Sequence, residues 1–328
     1  MSGNSLVPHR NGGTAAFLGI AASAALATFA WGTLVERNRF NVRREILPLL
    51  EPGSQSITIL HLSDIHLAPW QHKKQEWIRS LANLAPDLIV NTGDNLGHGD
   101  ALDAIEYTLE PFADTPGVFV HGSNDYFGPR TKSPFTYFSG PSEHDEESDT
   151  LDTNRLETYF QNHLGWLNLN NAAGSLGING SLLEFFGVND AHRDWDDLVA
   201  LPGAIESVRE EPTWTGNSAS HKPLSIGVTH APYRRVLDSF VTNGAELIFA
   251  GHTHGGQVRI PGMKRALVNN CDLPLDQSQG LSDWNHARRT AHLNVSAGIG
   301  TSIFAPVRFA CPPEAVVVTL TASDIRYS

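Results

Sequence analysis

The stretch Gly251-His252-Thr253-His254-Gly255-Gly256-Gln257 puts two imidazoles two residues apart at the end of the apolar run Leu247-Ile248-Phe249-Ala250. That run reads as a strand interior, and the flanking glycines let the backbone turn tightly around whatever the histidines bind. The simplest candidate is a metal ion. Three further apolar runs end in ligand-type side chains: Ile57-Thr58-Ile59-Leu60 leads to Asp64-Ile65-His66, Leu88-Ile89-Val90 to Gly93-Asp94, and Leu224 to Val228 to Thr229-His230. At a strand end, residues i and i+2 point to one side, so the Asp64 carboxylate and the His66 imidazole can share one cation. An aspartate at position 94 can bridge two. A lone Asp or His at a strand terminus is usually satisfied by backbone, but four such loops in one chain point to a common centre.

The spacing predicts the elements that position these loops. Asp64 to Asp94 and Asp94 to Asn124 are 30 residues each, about one strand-helix-strand unit. Trp77, Ile78, Leu81 and Leu84 share one face of a helix over Gln75 to Leu84. Parallel strands with functional loops at their carboxyl ends follow. Leu182 to Val188 and Ala315 to Leu320 read as strands of a second sheet, and no internal repeat suggests a solenoid.

Taken in order, these blocks resemble the calcineurin-like metallophosphoesterases, whose pattern runs Asp-x-His, Gly-Asp, Gly-Asn-His-Asp/Glu, His and Gly-His-x-His. The resemblance covers Ile57 to the C-terminus. It implies an α/β fold, a four-layer sandwich of two mixed β-sheets flanked by helices. It also implies two divalent metal ions: Asp64, His66 and His254 on one, His230 and His252 on the other, and Asp94 bridging. Mixed nitrogen and oxygen ligands suit manganese, iron or zinc, and two cations about 3.5–4 Å apart clamp the attacking and leaving oxygens of a phosphate ester. Gly255-Gly256-Gln257, Ser296 to Ser302 and Pro306 to Phe309 are similar to membrane-associated bacterial members that include phosphodiesterases and UDP-2,3-diacylglucosamine pyrophosphatases.

The third block departs from the family. Gly122-Ser123-Asn124-Asp125 stands where Gly-Asn-His-Asp is expected. Aligned without a gap, Ser123 replaces the metal-binding asparagine and Asn124 the histidine that contacts the scissile phosphate. A one-residue slip lets Asn124 give its amide oxygen to the second metal, a better ligand than a neutral hydroxyl. Asn124, Asp125 and His98 are the candidate catalytic residues, with His121 a further replacement for the missing acid. Arg130 is a candidate phosphate-gripping residue. General acid help is worth about 10²–10⁴-fold, while metal ions bring the pKa of bound water toward about 7 without it. Phosphodiesters and pyrophosphates with good leaving groups are therefore the expected substrates, a lipid-linked phosphate among them. The alternatives are a cytosolic nucleotide phosphodiesterase and a non-catalytic metal-binding protein.

From Asn11 to Val35 there is no charged residue. This predicts a tail over 1–13, a transmembrane helix or signal-anchor over 14–35, a linker over 36–55 and the catalytic domain over 56–328, with an acidic loop insertion at 131–152. Arg37, Arg39, Arg43 and Arg44 follow the uncharged span and only Arg10 precedes it, which places the catalytic domain in the cytoplasm by the positive-inside rule, export staying open. The net charge of −12 argues against general nucleic-acid binding. Cys271 and Cys311 lack metal-type spacing and read as small buried thiols.

Overall fold

The computed structural model describes residues 12–129, 149–210 and 222–324. Arg130 and residues 131–148 of the acidic insertion lie outside them. The first sheet holds β1 (Asn41–Leu50), β2 (Ile57–Leu62), β3 (Leu88–Asn91), β4 (Gly117–Phe119), β5 (Leu167–Asn168) and β12 (Glu314–Ala322), in the order β1-β12-β2-β3-β4-β5. The second holds β6 (Ala172–Ile178), β7 (Ser181–Gly187), β8 (Leu224–Val228), β9 (Leu247–Ala250), β10 (Gly280–His286) and β11 (Arg289–Val295), in the order β10-β11-β9-β8-β7-β6. Both are mixed: β2, β3, β4 and β5 run parallel beside an antiparallel β12, and β7, β8, β9 and β11 run parallel between two antiparallel hairpin strands.

Strand alternation builds the four layers. Ile57 and Ile59 of β2, Val316 and Val318 of β12, and Leu247 and Phe249 of β9 turn into the core between the sheets. Their neighbours turn outward: Leu60, Leu62, Ala315 and Val317 pack under α2 (His72–Ser80) and α3 (Leu102–Leu109), while Ile248 and Ala250 pack under α5 (Leu201–Arg209) and α6 (Arg234–Thr242). The short α4 (Thr153–Thr158) adds Leu156 to the first outer core. The expected helix over 75–84 is α2 continued by a tight turn at Leu81–Leu84, with Ile78 and Leu81 buried.

Three expectations are corrected. Leu182 to Val188 does lie in the second sheet, as β7, but Ala315 to Leu320 is β12 of the first, antiparallel to β2 and parallel to β1. The expected linker 36–55 contains β1, an edge strand whose Leu47 and Leu50 are buried. Pro48 is tolerated there because an edge strand need not donate on both sides, and the register shifts between Leu47 and Leu50.

The third correction concerns the expected transmembrane helix. Residues 12–30 do form a helix, α1 (Gly12–Ala30), yet among the described residues no helix is long and apolar enough to cross a membrane. Its 19 residues span about 28 Å, and apart from Phe17, Leu18, Ile20, Leu26 and Phe29 they are Gly, Ala, Ser and Thr. A π-turn over Trp31–Val35 and a 3₁₀ turn over Glu36–Asn38 follow and fold back on the domain: Gly32 O accepts the Arg308 N–H at 3.1 Å, and the buried Glu36 carboxylate accepts the Cys311 N–H at 2.9 Å. Nor is Arg43 a free juxtamembrane charge, since its guanidinium donates to Asn294, Val295 and Glu314 inside the fold.

Candidate metal centre

Each candidate ligand sits on a loop leaving the carboxyl end of a strand: Asp64 and His66 after β2, Asp94 after β3, Asn124 after β4, His230 after β8, and His252 and His254 after β9. Backbone hydrogen bonds lace these loops together, from Asp64 N–H to Gly93 O, His66 N–H to Asp94 O and Gly251 N–H to His230 O, each 2.9 Å. Asp64, His66, Asp94, His252 and His254 all take left-handed backbone angles, with φ between 41° and 64°. Non-glycine residues in that region store about 1–3 kcal/mol each, and such strain gathers at functional sites.

The side chains converge. His66 Nε2 lies 3.2 Å from His254 Nε2 and 3.4 Å from Asp94 Oδ2, and His254 Nε2 lies 3.5 Å from Asp64 Oδ1. On the other side His252 Nδ1 is 3.2 Å from His230 Nε2, which is 3.5 Å from Asp94 Oδ2. The ligand atoms of Asp64, His66 and His254 lie within 4.8 Å of one another, as do those of Asp64, Asp94 and His230. Outer contacts fix which nitrogen faces inward: His230 Nδ1 donates to Thr92 O at 2.7 Å, and His252 Nε2 lies 3.0 Å from Asn270 O.

Burial sets the charge states. It holds the His66 and His252 imidazoles down at about 4, so both are neutral ligands at pH 7. Burial also pushes the Asp64 carboxyl up to about 6. For Asp94 burial acts in the same direction, but the facing His230 and His66 imidazoles outweigh it and hold the carboxyl well below the usual range. Against burial, the carboxylates around His230, Asp94 foremost, raise its imidazole well above the ordinary range, so it gives up a proton when a cation binds. Imidazoles interleaved with carboxylates are the donor set that borderline divalent cations take, so these residues fit a dinuclear centre.

The third loop is shaped by Asp125. Its buried carboxylate accepts the N–H groups of Asp94 at 2.8 Å, Asn95 at 2.7 Å and Gly122 at 3.1 Å, so it fixes loop backbone. Asn124 turns toward the centre: its N–H donates to Asp94 Oδ1 at 2.9 Å, and its side-chain amide lies 2.7 Å from Asp94 Oδ2. Only glycine fits at 122, because a Cβ there would stand 2.2 Å from Asp94 Oδ1. His121 is fully buried between Asp125 and Glu157, at 3.5 and 3.2 Å, and its ring packs against Phe119, Tyr126 and Phe160. His98 packs against Trp70, ring centroids 5.0 Å apart, and accepts the Asp100 N–H, so its described contacts are outside the cluster.

Sequence reasoning missed two supports. A hydrogen-bond chain runs from Asn294 Nδ2 to His61 Nδ1 at 3.0 Å, from His61 Nε2 to Thr92 Oγ1 at 2.9 Å, from Thr92 to Ser63 at 2.7 Å, and from Ser63 to Asp64 Oδ2 at 2.5 Å. The signal was a histidine inside the apolar β2. The other support is Arg308, wholly buried, whose guanidinium ties Ala297 O, Gly298 O and Gly300 O to His254 O.

His61 gives a pH prediction. Burial, helped by Arg43, lowers its pKa from 6.5 to about 3, so the unfolded chain takes the proton first. Its contribution to stability is full above 6.5 and erodes as pH falls toward 3, by about 1.4 kcal/mol per unit. Metal-free His61→Gln should therefore lose about 2 kcal/mol less than the parent between pH 6.5 and pH 5 in urea unfolding. Equal losses would remove His61 from the relay.

Two sheets between helices, with imidazoles and carboxylates at adjoining strand ends, define a metallohydrolase of the dinuclear type. A calcineurin-like phosphoesterase family model matches residues 57–256, and the chain belongs to that family. It is a phosphoester hydrolase that uses two divalent metal ions, and the non-catalytic alternative falls. The chain is similar to an uncharacterized protein YpbG of Bacillus subtilis (strain 168), 25% identical over 276 residues, covering 83% of this chain and 84% of that one. Among solved structures, NAD nucleotidase from Haemophilus influenzae gives a TM-score of 0.40 at 9% identity, over 75% of this chain and 51% of the nucleotidase. A dimetal phosphatase from Danio rerio gives 0.37 at 12% identity, over 82% and 93%. Similarity at these scores carries no argument about substrate.

Proposed function

We propose that the enzyme hydrolyses phosphodiester or pyrophosphate bonds, with one cation on Asp64, His66 and His254, the other on His230, His252 and the Asn124 amide oxygen, and Asp94 bridging. The observation that supports this most is the convergence of six side chains from strand-end loops of both sheets, with imidazole nitrogens paired at 3.2 Å on either side of Asp94. When bound, the two cations supply Lewis-acid polarisation of the phosphate and a nucleophile at neutral pH. The chain itself orients the ligands: Asp125 fixes the Asp94 loop, the Asn294-His61-Thr92-Ser63 relay turns Asp64, and Arg308 holds His254 in place.

With Asn124 as a ligand the place of the family's histidine is left without an acid, so substrates whose leaving group departs without one are favoured. A lipid-linked phosphate fits one further feature. The exposed apolar side chains Trp31, Leu34, Val35, Val258 and Phe304 lie on segments joined through the Gly32–Arg308 and Val258–Phe309 backbone pairs, and Val258 follows soon after His254 in the chain. The catalytic unit extends upstream of residue 56 to include β1 and the turns over 31–38.

The third loop provides the test. With Asn124 as ligand, Asn124→Ala lowers metal content and hydrolysis of bis-p-nitrophenyl phosphate together, by about tenfold or more, while Ser123→Ala leaves metal content unchanged. The reverse pattern would assign the ligand role to Ser123 and the gap-free register.

A further inference from the structure

The loop after β7 carries a carboxylate that the centre described above does not use. Asp190 is fully buried, and its Oδ1 caps the following turn by accepting the His192 N–H at 2.9 Å. Its Oδ2 is the one carboxylate oxygen among the described residues that is buried without a hydrogen-bond partner. An unpaired buried carboxylate oxygen costs several kcal/mol, on the order of what its burial forfeits in water. Capping alone does not explain it, because asparagine caps equally well with one oxygen.

β7 and β8 run parallel with Gly187 opposite Val228, so the loops that leave them, carrying Asp190 and His230, start side by side. The charges of His230 and Asp94 both act on the Asp190 carboxyl, and the Ser123 N–H lies toward it without completing a hydrogen bond to Oδ2. Next along the loop, the His192 ring stands 4.6 Å from the ring of His252. The side of the centre formed by His230 and His252 thus has a carboxylate standing against Ser123, the residue that occupies the family's asparagine position in a gap-free alignment. Serine is shorter than asparagine and brings no amide oxygen.

We propose that Asp190 supplies a further oxygen ligand to the second cation, beside His230, His252 and the Asn124 amide, on the side where Ser123 brings no amide oxygen. The proposal rests on the two-cation reading above and adds a residue to it. The carboxylate lowers the positive charge of the second site by one unit relative to an amide ligand and strengthens its hold on a divalent ion.

The test uses the full chain, stripped by chelator and titrated with manganese(II) by calorimetry, with elemental analysis of the saturated protein. Asp190→Asn keeps the Oδ1 cap and removes the charge. It should bind the first equivalent as the parent does and the second about 10–100-fold more weakly. The melting temperature of its metal-free form should equal or exceed that of the metal-free parent, because the unpaired charge is gone. A structural role alone would lower the metal-free melting temperature and leave both affinities intact, which would overturn the proposal. Asp190→Ser, a second capping residue with a single oxygen, should give the same selective loss, and parental second-site affinity in either folded variant would also overturn it. A parent chain that takes up fewer than two equivalents would defeat the two-cation reading itself.

Discussion

Asp94→Ala should cost more activity than any other single change in this chain. The Asp94 carboxylate lies within 3.4–3.5 Å of imidazoles from both sides of the centre, and it is the group those imidazoles keep ionised. Removing it takes away the shared oxygen and leaves His66 and His230 facing an apolar methyl. Metal clamping of the reacting oxygens contributes several kcal/mol, so a fall in kcat/KM of about 10³-fold or more is expected, with less than one metal retained per chain. Circular dichroism and thermal unfolding of the metal-free protein should stay close to the parent, since the backbone of residue 94 is held by Asp125. A variant that retains both metals and loses less than tenfold in rate would refute the bridging role.

Deleting residues 1–55 should have the largest effect on stability. The family match begins at residue 57, which invites a truncation there. β1 nevertheless forms a continuous parallel ladder with β12 from Asn41 to Leu47, and its loss uncovers a long apolar edge. The Arg43 guanidinium, which donates to Asn294 Oδ1 at 3.0 Å and steadies the far end of the relay to Asp64, goes with it. The truncated chain should aggregate or melt at least about 10 °C below a chain beginning before Trp31, as expected for loss of a core strand. Equal melting temperatures would show that β1 adds nothing to the fold.

The six candidate ligands were legible as strand-end residues because strand ends declare themselves: short β-branched runs, then a glycine or a polar pair at i and i+2. What lay beyond was set by pairing between distant residues. β1 reads Asn41-Val42-Arg43-Arg44-Glu45, polar at every second place or more, and only its partner β12 makes it a strand. Ala315 to Leu320 carries its apolar pattern whichever sheet it joins, so its place between β1 and β2 depends on register with residues more than two hundred positions earlier. His61 looked like part of a strand interior, and its use required Asn294 from the other sheet. Asp190 follows β7 with no motif around it, and the parallel pairing of β7 with β8 sets its loop beside the one that carries His230. The uncharged N-terminal segment suggested a span, but among the described residues no helix is long and apolar enough to cross a membrane.

Anomalous diffraction from crystals grown with manganese(II) tests the central claim most directly. The account predicts two anomalous peaks about 3.5–4 Å apart, one among Asp64, His66 and His254, the other beside His230 and His252, with Asp94 between them. A single peak, or two peaks away from Asp94, would contradict it.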